Sequence, residues 1–128
     1  MHKIINSIDA PKAIGAYSQA IKTGNLLFVS GQICINQHTN KLENDSIESE
    51  IHQVMKNLAF ILEEAQTNFS NVVKTSIFLT NMADFSIIDE IYGSYFKNLY
   101  FPARETIEVK GLPKNCRIEI SMVVNLGV

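Results

Sequence analysis

Residues 72–109 read VVKTSIFLTNMADFSIIDEIYGSYFKNLYFPARETIEV and alternate between two periodicities. Val72 to Leu79 reads as a strand. Val73, Thr75, Ile77 and Leu79 are expected on one face, with Val72, Lys74, Ser76 and Phe78 on the other. Over 84–97, Phe85, Ile88, Ile91, Tyr92, Tyr95 and Phe96 recur at helical spacing, and Gly93 among them weakens the helix somewhat. A second strand is expected over 103–109. Strand, helix, strand is a crossover unit, so its two strands should run parallel with a right-handed connection.

Downstream, Gly111, Pro113 and Asn115 mark a turn before a strand from Arg117 to Val124. Ile118, Ile120, Met122 and Val124 fill one face of that strand, leaving Arg117, Glu119 and Ser121 on the other. Arg104, Thr106 and Glu108 share a face of the preceding strand. Upstream, Ile47, Ile51, Val54, Met55, Leu58, Ile61 and Leu62 predict a helix from Ser46 to Ala65, with Asp45 and Glu48 resembling a capping box. Asn36 to Asn44 reads as a loop. Ser18–Thr23 and Leu26–Ser30 read as a hairpin turned at Gly24-Asn25, and Lys3–Ile5 as an edge strand. Gly31 after Ser30 signals a bulge, a ligand contact or a plain terminator. The expectation is an α+β fold, one domain over 1–128, with a mixed sheet and two helices packed on one face. The strands around Leu26 and Val72 are apolar on both faces, so the uncovered face should be an interface between subunits.

With 46% apolar residues in 128, an ordinary core can form. The formal charge is −2, the pI is about 5.9, and no basic run is present, which argues against a nucleic-acid surface. The N-terminal residues carry no signal-peptide pattern, and no run approaches the ~18 apolar residues of a membrane span, so the cytoplasm is the default location. Cys34 and Cys116 stand far apart in the sequence and read as reduced thiols. His2, His38 and His52 form no ligand pattern, so no metal is expected.

Arg104 and Glu119 are the charged residues best placed for chemistry, each presented by a strand. By spacing alone, surface charges on an exposed sheet face explain both. The motifs around them change that balance. Phe101-Pro102-Ala103-Arg104, Gly111-Leu112-Pro113-Lys114 and Ile118-Glu119-Ile120 resemble the C-terminal signature of the Rid (YjgF-type) family of reactive-intermediate deaminases. Ala13 to Ala20 (AIGAYSQA), Gly24-Asn25-Leu26 with Val29 to Ile33, and Val72 to Thr75 resemble its earlier motifs, in the same order along nearly the whole chain.

The resemblance implies a chorismate-mutase-like homotrimer with sites at the subunit boundaries. It also implies hydrolysis of small 2-enamine and 2-imine acids, such as 2-aminoacrylate and 2-iminobutanoate, to 2-keto acids and ammonia, without a cofactor. Arg104 would bind the substrate carboxylate bidentately and Glu119 would handle the attacking water. Tyr17, Ser30, Gly31, Asp89 and Thr106 would complete substrate binding, Tyr17 and Ser30 from across a boundary. A non-enzymatic carboxylate-binding or chaperone-like trimer, and a ribonuclease or translation inhibitor, are the alternative readings. Departures from the family pattern are Ala16 for proline, Asp89 for asparagine, Glu105 for a small residue, Thr106 for cysteine and Ser121 for glutamate.

Overall fold

Eight strands and two α-helices follow one another in the computed structural model, which describes residues 1–96 and 100–127: β1 (His2–Ile5), β2 (Ala20–Thr23), β3 (Leu26–Gln32), β4 (Ile35–Asn36), β5 (Lys41–Leu42), α1 (Ile47–Glu64), β6 (Val72–Leu79), α2 (Phe85–Ser94), β7 (Ala103–Glu108) and β8 (Ile118–Asn125). Six strands form one sheet in the order β1-β2-β3-β8-β6-β7. Every neighbour pair is antiparallel except β6 and β7, which are parallel across α2, as the crossover pattern requires. The predicted helix over 84–97 ends at Ser94, and Lys97 lies outside the described residues.

The face under the helices is the core. Ile51, Val54, Met55, Leu58, Ile61 and Leu62 of α1 are buried with Leu27, Val29, Ile77, Leu79, Ile118, Ile120, Met122 and Val124 of the sheet. Each such side chain contributes roughly 1.5–3 kcal/mol on leaving water. The β8 alternation is as expected from its first residue. That of β6 is not: a register shift between Val72 and Lys74 buries Val72 and turns Val73 outward. One extra residue in a bulge inverts the alternation before it. A second bulge falls between Val29 and Gln32 of β3, at Ser30-Gly31.

Other local expectations are corrected by hydrogen bonds. The cap of α1 is Ser46, not Asp45: Ser46 Oγ accepts from Ser49 N at 3.0 Å, and Ser46 N donates to Ser49 Oγ at 3.1 Å. The loop over 36–44 contains β5, paired with β4 in a small hairpin. Arg117 precedes β8 and does not share the Glu119 face. Its Nε donates to Glu50 Oε1 at 2.8 Å, and its backbone N–H and that of Ile118 donate to Glu50 Oε2 at 2.7 and 3.0 Å. Glu50 is fully buried, and these bonds compensate its desolvation. Asn57, also fully buried, donates to the carbonyls of Ile33 (2.9 Å) and Ile35 (2.8 Å). Two buried polar side chains of α1 thus pin the start of β8 and the segment around Ile33.

Cys34 and Cys116, distant in sequence, meet beside Glu50 with sulfurs 3.7 Å apart. Burial pushes both thiols up, Cys34 furthest, so they stay protonated. Both Glu50 oxygens already accept N–H bonds, so the trio is a packed polar knot.

The opposite sheet face carries no helix among the described residues. Ile4, Leu26, Phe28 and Ile107 are exposed there, at 65, 40, 45 and 46%. The β3 strand, expected to be buried on both sides, is buried on one side in a single chain. No described helix is long and apolar enough to cross a membrane.

Candidate active site

Strand register separates the two principal candidates. Arg104 pairs with Thr75, and Glu119 pairs with Phe78. An odd step along β6 divides those partners, so Arg104 emerges on the helix face and Glu119 on the open face. Within one chain the two side chains line separate clefts.

The Arg104 cleft, about 360 Å³, is lined by Asp89, Tyr92, Gly93, Phe101, Pro102 and Arg104. It lies where edge strand β7 meets α2. The guanidinium carbon sits 5.3 Å from the ring centroids of both Phe85 and Tyr92, within cation–π range. Its Nη1 donates to Asp89 Oδ1 at 2.7 Å. Nε and Nη2 have no hydrogen-bond partner among the described residues. Tyr92 is held in turn by a 2.7 Å hydrogen bond shared with Thr75, and burial pushes its phenol up. Each contact fixes the guanidinium in place. Thr106 lies two positions along the same strand face, and its buried Oγ1 has no partner.

The Glu119 cleft, about 480 Å³, gathers Ile14, Tyr17, Ser30, Gly31, Lys114 and Glu119, among others. The Ser30-Gly31 bulge opens it. A Cβ on Gly31 would meet Glu119 Cγ at 2.8 Å, so the carboxylate lies directly over the glycine. Gly31 is needed there for space. Burial pushes the Glu119 carboxyl up, with no counter-charge in contact among the described residues. Ser30 Oγ donates to the Ser18 carbonyl at 2.6 Å, so only its lone pairs remain for a ligand. Tyr17 is half exposed.

The residues singled out from the sequence therefore fall into two groups. Arg104, Thr106 and Asp89 belong to one side, and Glu119, Tyr17, Ser30 and Gly31 to the other. Glu105 is on the open face, where Ser76 and Lys74 (3.2 Å) hold its carboxyl below the usual range; it does not face Arg104. The sequence reading missed the Tyr92 and Phe85 clamp. Their helical spacing marked them as core, and nothing local shows which cation they would meet. Lys114 was also missed; its left-handed backbone (φ 57°) at the rim of the Glu119 cleft follows from the turn signal at Pro113.

Comparison with known proteins gives concordant matches. The family model described as Endoribonuclease L-PSP matches residues 7–126. The human 2-iminobutanoate/2-iminopropanoate deaminase is 40% identical, over 99% of this chain and 92% of its own. The crystal structure of YyfA from Yersinia pestis, of the conserved Rid protein family, superposes with a TM-score of 0.96 at 43% identity, covering 98% of this chain and 99% of that one. The E. coli protein TdcF with bound serine superposes with a TM-score of 0.92 at 30% identity, over 96% of this chain and 98% of that one.

Proposed function

The chain belongs to the Rid (YjgF) family, and on that premise we propose that it hydrolyses small 2-imino and 2-enamino acids to 2-keto acids and ammonia. The observation that carries the reading is Arg104, clamped on two aromatic rings in a small cleft with its Nε–Nη2 edge unpaired among the described residues. A planar fork of that kind suits a planar carboxylate.

The reaction needs a second group, because a bound imine must meet water. Glu119 is that group. Its raised carboxyl can take a proton from water as the oxygen adds to the imine carbon. Glu119 then returns that proton to the nitrogen, the new hydroxyl gives up its own proton, and the carbon–nitrogen bond breaks to leave a ketone and ammonia. Arg104 and Glu119 face opposite ways in one chain, so the reading requires Glu119 of the partner subunit to approach Arg104. The exposed apolar face supports such an assembly, and a homotrimer is the form proposed. Tyr17, Ser30 and Gly31 would arrive with Glu119, while Asp89 and Thr106 stand with Arg104. No cofactor enters any step.

Serine bound to TdcF fits a site of amino-acid size in this family. The ribonuclease in the family model's description would need clustered cations for a phosphate backbone. A pI of about 5.9 and the pairing of Arg104 with Asp89 weigh against it. A coupled assay tests the proposal: an amino-acid oxidase generates 2-iminobutanoate, and the protein should accelerate keto-acid release. An unchanged rate, with the protein trimeric by light scattering, would leave carboxylate binding without turnover as the better reading.

A further inference from the structure

The pairing of Arg104 with Asp89 says more about the ligand than carboxylate binding does. Arg104 needs no carboxylate to hold it, since Phe85 and Tyr92 already pack its guanidinium. Asp89 nevertheless approaches Nη1 to 2.7 Å, with its side chain 49% exposed. Its other oxygen, Oδ2, accepts no hydrogen bond from any described residue. Both side chains line the same small cleft, with Tyr92, Phe101 and Pro102 as its less polar walls.

A lone cation in such a cleft would favour any small anion. A carboxylate beside it removes much of that attraction and adds an acceptor for a cation a few ångströms away. The cleft then presents a plus and a minus side by side. Its complement is a molecule carrying a minus and a plus on adjacent carbons.

We propose that Asp89 reads the protonated nitrogen of the ligand, so that this site selects zwitterionic 2-iminium and 2-amino acids over the corresponding 2-keto acids. The inference rests on Arg104 being the carboxylate anchor of the proposed deaminase. In it, the ligand carboxylate takes the Nε–Nη2 edge of Arg104 and the C=NH₂⁺ or NH₃⁺ group donates to Asp89 Oδ2. Two consequences follow for the reaction. The protonated imine is the form whose carbon water attacks most readily, and Asp89 stabilises it. After hydrolysis the ligand has lost its cationic nitrogen, so the keto acid faces an uncompensated carboxylate and departs.

The test uses two ligands of nearly one shape, L-2-aminobutanoate and 2-oxobutanoate, with binding measured by calorimetry on the intact protein. Wild type should bind the amino acid more tightly than the oxo acid. Asp89→Asn should weaken the amino acid by about tenfold or more, the worth of a charge-assisted hydrogen bond, and tighten the oxo acid severalfold. Asp89→Glu keeps the charge and should keep the wild-type order. Opposite-signed changes in Asp89→Asn establish the role, because loss of a merely structural contact would move both ligands together. Shifts in the same direction, no shift in either, or a wild type that takes the oxo acid alone would overturn the inference while leaving Arg104 as anchor. Arg104→Ala separates the two levels: it should weaken both ligands, and if it weakens neither, the anchor and the deaminase reading built on it fall together.

Discussion

The Arg104 cleft and the Glu119 cleft hold opposite charges by opposite means. Arg104 stands on an edge strand with its charge answered on several sides, by Asp89 and by two rings. Glu119 stands on a central strand, over a glycine, with no counter-charge in contact among the described residues of its own chain. The first arrangement suits a group that must stay charged and still. The second suits a group that must exchange a proton. The contrast is what the proposed division of labour, binding at Arg104 and proton transfer at Glu119, would require.

Removing the guanidinium should cost the most. Arg104→Ala should remove a bidentate contact worth about 3–5 kcal/mol for a desolvated pair, a loss of several hundredfold or more in kcat/KM. Arg104→Lys keeps charge without the fork and should recover only part of it. Steady-state rates on 2-iminobutanoate check both. Near-normal kcat/KM in folded Arg104→Ala would mean that the cleft is not the substrate site.

Breaking the second cleft needs only one carbon. Gly31→Ala should push Glu119 off its position, since the new Cβ would overlap the side chain. Loss of a positioned proton carrier lowers kcat by on the order of 100-fold. The backbone of Gly31 is not left-handed, so the melting temperature should move little. A kcat unchanged by this substitution would show that Glu119 works elsewhere or not at all.

The division between subunits can be sharpened by mixing. Arg104→Ala and Glu119→Gln are each expected to be nearly inactive. If every site takes its arginine from one subunit and its glutamate from another, an equal mixture refolded together should recover about a quarter of wild-type activity, one half times one half. No recovery would place both residues in one chain's site.

The smallest effect concerns stability. The Glu119 carboxyl is raised on folding, so the folded state holds its proton more tightly than the unfolded chain does. Its contribution is favourable below the unfolded value and is lost as pH rises through the folded one. In the unassembled chain, before the partner's Arg104 approaches, Glu119→Gln should therefore raise the melting temperature near pH 7, and the gain should shrink toward pH 4. A gain equal at both pH values would show that the carboxyl is not strained by burial.

The sequence was most legible where periodicity acts over adjacent residues. The apolar face of β8 and the stripe of α1 are where alternation and helical spacing put them. The parallel crossover followed from element order alone. Val72 and Val73 were misassigned because a bulge depends on the partner strand, which local alternation does not show. Glu50 and Asn57 carried a usable signal: both sit on the apolar stripe of α1, between Ile47 and Val54 and between Val54 and Ile61, where a polar residue must find partners. Arg104 and Glu119 were singled out through motif resemblance. Their placement on opposite faces was implicit in strand parity but needed the register of β6 to become visible. The contact between Arg104 and Asp89 joins an edge strand to a helix, and no local pattern announces it.

Strand β8 has a further consequence, for how the protein is made. It is the last strand in chain order, yet it lies between β3 and β6 in the middle of the sheet. On the ribosome, β1–β3 and β6–β7 emerge first and have no hydrogen-bonded link to each other. Only when residues 118–125 clear the ribosome can one strand zip both groups together, with Glu50 already waiting in α1 to receive its first amides. Long-range closure of this kind is slow and leaves strand edges open meanwhile. A chain stopped before Ile118 would leave two disconnected sheet fragments where the full chain has one sheet.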